Sequence, residues 1–313
     1  MKLYAEQTTS SPRQSLNLPF AHRPRETVRE TTVQTDALLG GLTDAQLEAG
    51  KASSGPIALD EFIWKNLDDA PGLLQESFQL RYEAYCERQK FLDASEYPER
   101  YERDQFDRNS LHVGIIHDQT QVMTATARIV YGKSQFDAPP LPLYEHCSVD
   151  RKYQNFLDKT RYVGEISRFV MSPAALDRIL EFTSREQEGP VGQGPSSKYR
   201  VSLPAILTLY KSIYQASRIN GIAVLVAAME QSLRRLVTRF RFPFHQIGPE
   251  VDYFGPVAPF LLDLDELDDV LFDEAPWLLA EFYRGLEDYN PQTVWITEHA
   301  GSEAGQLLAD AAA

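Results

Sequence analysis

Cysteine is scarce in this chain. Its 313 residues include two, Cys86 and Cys147. That is too few for a disulfide framework, and neither lies in a Cys-x-x-Cys pair. The six histidines (His22, His112, His117, His146, His245 and His299) are scattered, so no metal site is expected. No apolar run approaches the roughly 20 residues that span a bilayer. Positive charge is also short. Lys and Arg number 31 against 45 Asp and Glu, a net charge of −14. That is the wrong sign for a nucleic-acid binder, which presents a basic face. It also opposes adsorption to anionic lipid through bulk charge. The opening MKLYAEQTTSSPRQS has no apolar core of a secretory signal, so a cytoplasmic location is expected.

What is present is enough apolar material for a large core: 43% of all residues are hydrophobic and 11% of all residues are aromatic. Residues 1–57 are rich in Thr, Ser, Gln, Gly and charge. Such a segment buries too little surface to offset its ordering entropy, so it is expected to be mostly disordered, with a short helix over 43–50 behind Thr43. The folded body is expected over 58–295 and a frayed tail over 296–313.

Within the body, Leu74, Phe78, Tyr82 and Tyr85 recur at helical spacing and predict an amphipathic helix over 73–91. "SLHVGIIH" (110–117) and "QVMTATARIVYG" (121–132), joined by polar residues, read as a hairpin. "RYVGEISRFVM" (161–171) is the next strand. Residues 185–198, rich in Gly, Pro and Ser, read as a flexible loop. A strong helix follows to Gly221, a suitable C-terminal cap. Then come the buried strand "IAVLVAAM", the helix "QSLRRLVTRF", three short strands ("FPFHQIG", "VDYFG", "VAPFLLDL") and helix over 265–289. This order predicts an α+β or α/β fold: one sheet with helices on both faces.

Charged residues fall where these elements should be apolar. Arg81 is in the first helix, Asp104 and Asp107 precede the first hairpin strand, Arg128 is in its second, and Glu165 and Arg168 lie in "GEISRF". Burying such ions costs several kcal/mol each unless they are paired. They therefore form either structural glue or a polar site. Regular alternation puts Glu165, Ser167 and Phe169 on one face and Ile166, Arg168 and Val170 on the other. A bulge would change that assignment.

The spacing of these residues resembles the acyl-homoserine lactone synthases and their relatives in the GNAT superfamily of N-acyltransferases. Four motifs occur in the family's order over about 90 residues. Arg81, Tyr85 and Phe91 match a helix Arg and two aromatics, where the family usually has Phe and Trp. "ERDQFD" gives the acidic box Glu102, Asp104 and Asp107. Arg128 matches the second-strand Arg. "GEISRF" matches Glu-x-Ser-Arg-Phe through Glu165, Ser167, Arg168 and Phe169. More loosely, "LPLYEHC" and "FHQIGPEVDYFGPVAPFLLDL" resemble the acyltransferases associated with the PEP-CTERM/exosortase system and the N-acyl amino acid synthases. The common GNAT pyrophosphate signature, (Q/R)xxGx(G/A), is not met. Gly192 and Gly194 have its spacing, but Gly189 stands where Gln or Arg is needed. This fits a carrier-protein donor better than coenzyme A.

The resemblance implies a GNAT-like, mostly antiparallel sheet between helices. It also implies transfer of a fatty acyl group from an acyl carrier protein (or coenzyme A) thioester to the amine of an amino acid or similar acceptor, with no permanently bound cofactor. Glu165 is the implied base. Asp104 and Asp107 would bind the acceptor amine or pair with Arg81, Arg128 and Arg168. Arg128 is favoured to hold an acceptor carboxylate. Candidates for an acyl tunnel are Val130, Phe136, Leu141, Leu143, Phe169, Met171 and Leu225. An acidic enzyme needs a local basic patch to meet an acidic carrier protein; Arg234, Arg235, Arg239 and Arg241 supply one, beside Lys198, Arg200 and Lys211. The alternatives are a homoserine-lactone signal synthase using S-adenosylmethionine, and a non-catalytic acyl- or partner-binding module on the same fold.

Overall fold

The computed structural model describes residues 59–132, 141–158, 163–186 and 195–286. The segment expected to be disordered, the short helix at 43–50, the tail, most of the Gly-rich loop with Gly189, Gly192 and Gly194, and Phe136 lie outside these residues.

The sheet has eight strands in the order β1-β2-β3-β4-β5-β8-β6, with β7 on β8. In chain order these are β1 (Phe62–Asn66), β2 (Ser110–His117), β3 (Met123–Tyr131), β4 (Val163–Met171), β5 (Val224–Met229), β6 (His245–Gln246), β7 (Val251–Asp252) and β8 (Pro256–Asp263). Only β4 and β5 pair in parallel; the other pairings are antiparallel. The helices are α1 (Pro71–Tyr82), α2 (Leu143–His146), α3 (Arg151–Leu157), α4 (Pro173–Glu186), α5 (Pro195–Ile219), α6 (Gln231–Arg239), α7 (Leu264–Glu274) and α8 (Pro276–Tyr283).

The predicted fold class is the observed one. The strands at β2, β3, β4, β5 and β8 and the helices at α5 and α6 fall where periodicity placed them. The predicted helix at 73–91 differs. Its α-helical part ends at Tyr82, and one π-helical stretch, Glu83–Arg88, carries the chain on. β1, α3 and α4 had no assignment in the sequence. β1 alternates weakly, with the burial pattern buried, exposed, half-buried, exposed, exposed, because it is an edge strand with one neighbour.

The main core lies on one face of the sheet. There α5 lays Leu203, Ile206, Leu207, Tyr210 and Ile213 against Ile115, Ala127, Ile129 and Leu225, closed by α7 and α8. On the other face Leu80 of α1 and Ala84, just beyond its end, pack against Leu67, Met123 and Val170. Farther along that face, Leu141, Leu143, Cys147 and Leu157 cover Val130, Val224 and Val226. The sheet is thus sandwiched, and its centre at β3–β4–β5 is covered from both sides.

Candidate active site

β4 shares register with β5 only over Val163–Glu165. Beyond Glu165 the two strands part, and a cavity of about 480 Å³ opens between them. Ile166 to Met171 line one wall and Ala227 to Met229 the other; Ile206, Tyr210 and Ile213 of α5 lie on its apolar side. This is the size of a small-molecule site. The edge of β4 facing the gap has lost its ladder partner, so its backbone amides there are available to a ligand.

The same strand carries a bulge. Thr126 pairs with Val170 and Arg128 with Ser167, so Arg168 and Phe169 together oppose Ala127. Arg168 has φ +51°, a left-handed conformation that costs a non-glycine residue about 1–3 kcal/mol. The extra residue corrects the regular alternation. Arg168 joins Ser167 on the face that meets α1, while Phe169 turns to the α5 face, its ring 5.8 Å from Tyr210. The hydroxyl of Tyr85, from the π-helical stretch, donates to the Phe169 carbonyl at 3.4 Å, and Arg168 lies 5.5 Å over the Tyr85 ring.

On the α1 face the bulge assembles an ion network. Arg81 Nε meets Glu102 at 2.5 Å and its Nη1 meets Asp107 at 2.7 Å. Arg128 Nη1 meets Asp104 at 2.6 Å and Asp107 at 2.9 Å, and its Nε donates to the Ser167 hydroxyl at 3.1 Å. Arg168 bridges Glu102 and Asp104, both at 3.0 Å. His112 holds Asp107 through Nε2 and Asp68 through Nδ1. Burial works against each charge, and the partners overcome it. Asp107, with His112 and Arg81 beside it, and Asp104, beside Arg128, sit below the usual carboxylate range; Arg81 is raised by Glu102 and Asp107. His112 is raised by its hydrogen bonds to Asp107 and Asp68.

Three arginines therefore face three carboxylates, each engaged with another. Of the two roles left open for Asp104 and Asp107, the structure shows the pairing with Arg81, Arg128 and Arg168. Arg128 is not placed to clamp a carboxylate. It is 1% exposed, and two of its three nitrogens are taken; only Nη2 lacks a partner among the described residues.

Glu165 stands apart from the ion pairs. It is 4% exposed and its Oε2 accepts the Leu143 backbone N–H of α2 at 2.7 Å. Desolvation raises its pKa to about 8, against the smaller opposing effects of that hydrogen bond, Arg128 and Arg168. Its neighbour in sequence, Ile166, is on the cavity wall; Glu165 itself lies just behind it.

Of the tunnel candidates, Phe169, Met171 and Leu225 line the cavity. Val130, Leu141 and Leu143 do not; they pack on the opposite face. Strand alternation decides this for Val130, whereas Leu141 and Leu143 follow from where the α2 segment packs. Tyr85 and Phe91 line the cavity as well. Phe91 stacks on Phe254 at 5.2 Å, Phe254 meets Tyr253 at 4.7 Å, and Tyr253 stacks on His146 at 3.7 Å. Sequence reasoning missed His112, His146, Tyr253 and Phe254. Only His112 left a signal, a histidine inside an apolar strand.

On α6, Leu233, Leu236 and Val237 line the cavity, while Arg235 and Arg239 are exposed and Arg234 is half-buried. Arg241 pairs with Glu274 at 3.0 Å. Lys211 is turned inward toward Glu281, 3.8 Å away, and does not extend the basic patch. The Lys198 side chain lies outside the described residues. At the start of α4, Pro173 has no N–H, the Ser172 hydroxyl accepts from Ala175 N, and the Ser172 carbonyl accepts from Leu176 N. Few amides are left open there for a pyrophosphate.

Among the described residues no group of His, Cys, Asp and Glu has metal-site geometry, and no helix is long and apolar enough to cross a membrane.

Comparison with known proteins returns the same region. Residues 80–178 match the acetyltransferase (GNAT) domain. No curated protein sequence matches the chain. Among solved structures, the AHL synthase LasI is similar at 16% identity, covering 65% of this chain and 90% of its own, with a TM-score of 0.43. FeeM, an N-acyl amino acid synthase from uncultured soil microbes, is similar at 14% identity over 67% and 94%, with a TM-score of 0.41. MesI, a CoA-dependent acyl-homoserine lactone synthase, is similar at 12% identity over 72% and 94%, with a TM-score of 0.44. The residues that match the acetyltransferase (GNAT) domain, 80–178, are those that hold the ion network, the β4 bulge and Glu165.

Proposed function

We propose that this chain transfers a fatty acyl group from an acyl-carrier-protein thioester to the amine of an amino acid or similar small acceptor. The observation that carries the reading is the gap between β4 and β5. Its cavity is lined by Ile166 and Phe169, packed with the apolar α5 side, and by Ser167 and Arg168, on the ion-network side. An acyl chain fits the first environment and a polar acceptor the second, with the thioester between them. The released amides of β4 would stabilise the tetrahedral oxyanion. The ion network would hold the bulge in shape, and Glu165 would serve as a proton acceptor that becomes available as pH rises through about 8.

A carrier-protein donor is favoured over coenzyme A by the start of α4, where proline and Ser172 use up the amides a pyrophosphate would need. The exposed arginines of α6 beside the cavity-lining Leu233 and Leu236 fit the same partner. A second reading, a non-catalytic acyl-binding module, is favoured by one observation: Glu165 is buried and bonded to Leu143.

The test is to incubate the purified chain with palmitoyl-carrier protein, palmitoyl-coenzyme A and a panel of amino acids. Thiol release is followed by absorbance and the N-acyl product by mass spectrometry. Amide formation supports transfer. Saturable acyl binding with no amide on any amine supports the binding module instead.

A further inference from the structure

One buried ion cluster plays no part in the acyl-transfer chemistry. Asp268 of α7 is 6% exposed. Burying a carboxylate is costly unless it is paired, and three side chains from two other helices pair it. The Tyr214 hydroxyl of α5 donates to its Oδ1 at 2.7 Å. The Tyr283 hydroxyl of α8 donates to its Oδ2 at 3.0 Å, and Arg218 Nη2 of α5 meets the same oxygen at 2.6 Å. Tyr214 and Arg218 are four residues apart and so share a helix face. The guanidinium lies 5.4 Å over the Tyr214 ring, and the ring packs on Phe282 at 5.3 Å.

Tyr214 also lines the cavity between β4 and β5. At one end of that cavity the lining reaches solvent: Arg88 is exposed, and Phe91, Pro173 and Glu230, the residue after β5, are half-buried. The other end lies at the start of β5. There Leu225 pairs with Gly164 on one side and Leu262 on the other, and the Leu264 N–H donates to the Ala223 carbonyl at 3.0 Å. Leu225, Leu262, Leu264 and Leu267 line this end and are at most 2% exposed. Asp268 follows Leu267 on α7, so the cluster sits behind the closed end, and the Tyr214 ring joins the two. Tyr210, one turn earlier on the same wall, differs. Its buried hydroxyl has no hydrogen-bond partner among the described residues. Packed side chains do change rotamer, but a ring held at its far end by a buried carboxylate cannot swing aside without breaking that bond.

From this geometry we infer that Tyr214, tethered by Asp268, is the floor of the acyl site and sets an upper limit on the length of the straight-chain acyl group the protein takes. Asp268, Arg218 and Tyr283 position the ring and do not touch the chain. The floor role deepens the acyl-transfer reading and rests on its placing of the acyl chain in this cavity.

The test uses the full chain, Tyr214→Phe and Tyr214→Leu with straight acyl chains of 8 to 20 carbons. Binding of the free fatty acids is read by displacement of a fluorescent fatty acid, and amide formation from the matching carrier-linked donors by mass spectrometry. In the unsubstituted chain affinity should rise by up to about fourfold per added methylene, as burial of a CH2 group gives, and stop rising at the length that reaches Tyr214. Tyr214→Leu removes the end of the ring and should move that break by about two carbons or more, at the spacing of an extended chain, while leaving the eight-carbon acid unaffected. Tyr214→Phe keeps the ring and loses the tether. Its break should stay, and the next longer acids should bind about threefold to tenfold better, since a hydrogen bond to a charged group is lost. A break that stays put in a folded Tyr214→Leu overturns the floor role. So does an equal loss at every length, which a merely structural cluster would give, and so does the lack of any break up to 20 carbons. If Tyr214→Leu does not fold, Tyr214→Phe decides, and a profile identical to the parent's overturns it. The two readings fail separately. Length-limited binding with no amide on any amine keeps the floor and removes acyl transfer; amide formation with no length limit removes the floor alone.

Discussion

At the residue scale, one strand carries two opposite solutions for buried charge. Arg168 is placed by a bulge so that its charge meets Glu102 and Asp104, while Glu165, two residues from Ser167 on the same strand, is given a single backbone N–H. The signs of their pH effects differ. Asp104 and Asp107 are held below the ordinary carboxylate range. They contribute stability above an unfolded value of about 3.9 that is lost as pH falls further. Glu165 is raised to about 8, so the native state binds its proton more tightly than the unfolded chain does. Stability from this residue is full at acid pH and declines as pH rises from about 4.3, its unfolded value, to 8. We expect Glu165→Gln to flatten the fall in thermal stability between pH 5 and 8. It should also erase the rise in turnover between pH 7 and 9, with a loss of about a hundredfold at pH 9. Unfolding scans and a pH–rate profile check both; a variant as pH-sensitive as the parent would remove Glu165 from either role.

At the element scale, the site depends on short pieces whose positions come from packing. α2 has four residues, too few to hold itself as a helix. It is fixed by Leu143 on Glu165 and by the irregular segment that follows it, where Asp150 N–H donates to the Ile247 carbonyl at 2.7 Å. Gly248 sits at that crossing. A Cβ there would lie 2.0 Å from the Ser148 carbonyl oxygen and 2.9 Å from Pro259, so backbone must move. Gly248→Ala should destabilise the fold by about 1–3 kcal/mol, as overpacking does, and lower turnover by displacing α2 from Glu165. Thermal unfolding with a parallel activity assay reads both effects. An alanine variant with unchanged stability would show that the segment yields without strain.

The sequence was informative for elements with a long period and poor for those set by contacts. The α5 and β5 patterns were plain because one whole face of α5 and both faces of β5 are buried. The π-helical stretch was not, since Glu83–Arg88 keeps the same residue types as an α-helix and differs only in register.

At the scale of the molecule, the proposed carrier-protein donor would have to dock on a chain of net charge −14 through a local patch. α6 offers one: its leucines line the cavity, Arg235 and Arg239 are exposed and Arg234 is half-buried. Reversing Arg234 and Arg235 together to Glu should raise KM for a carrier-linked donor by about tenfold, mainly through slower association. A coenzyme A thioester of the same chain should be much less affected. Steady-state kinetics with both donors distinguishes the two, and equal effects would discard the patch. Arg241 is a weaker member than its sequence position suggested, because Glu274 engages it.

Residue types and spacing by themselves determined the fold class, the main helices and strands, and the set of charged residues near the strand ends. These follow from periodic burial and from the cost of placing ions in apolar segments. Only the tertiary structure decided which carboxylate stays unpaired, which face Arg168 and Phe169 take, and that Tyr253 stacks on His146. The physical reason is that one inserted residue in β4 reverses the side-chain alternation after it, and contacts between distant segments carry no local pattern.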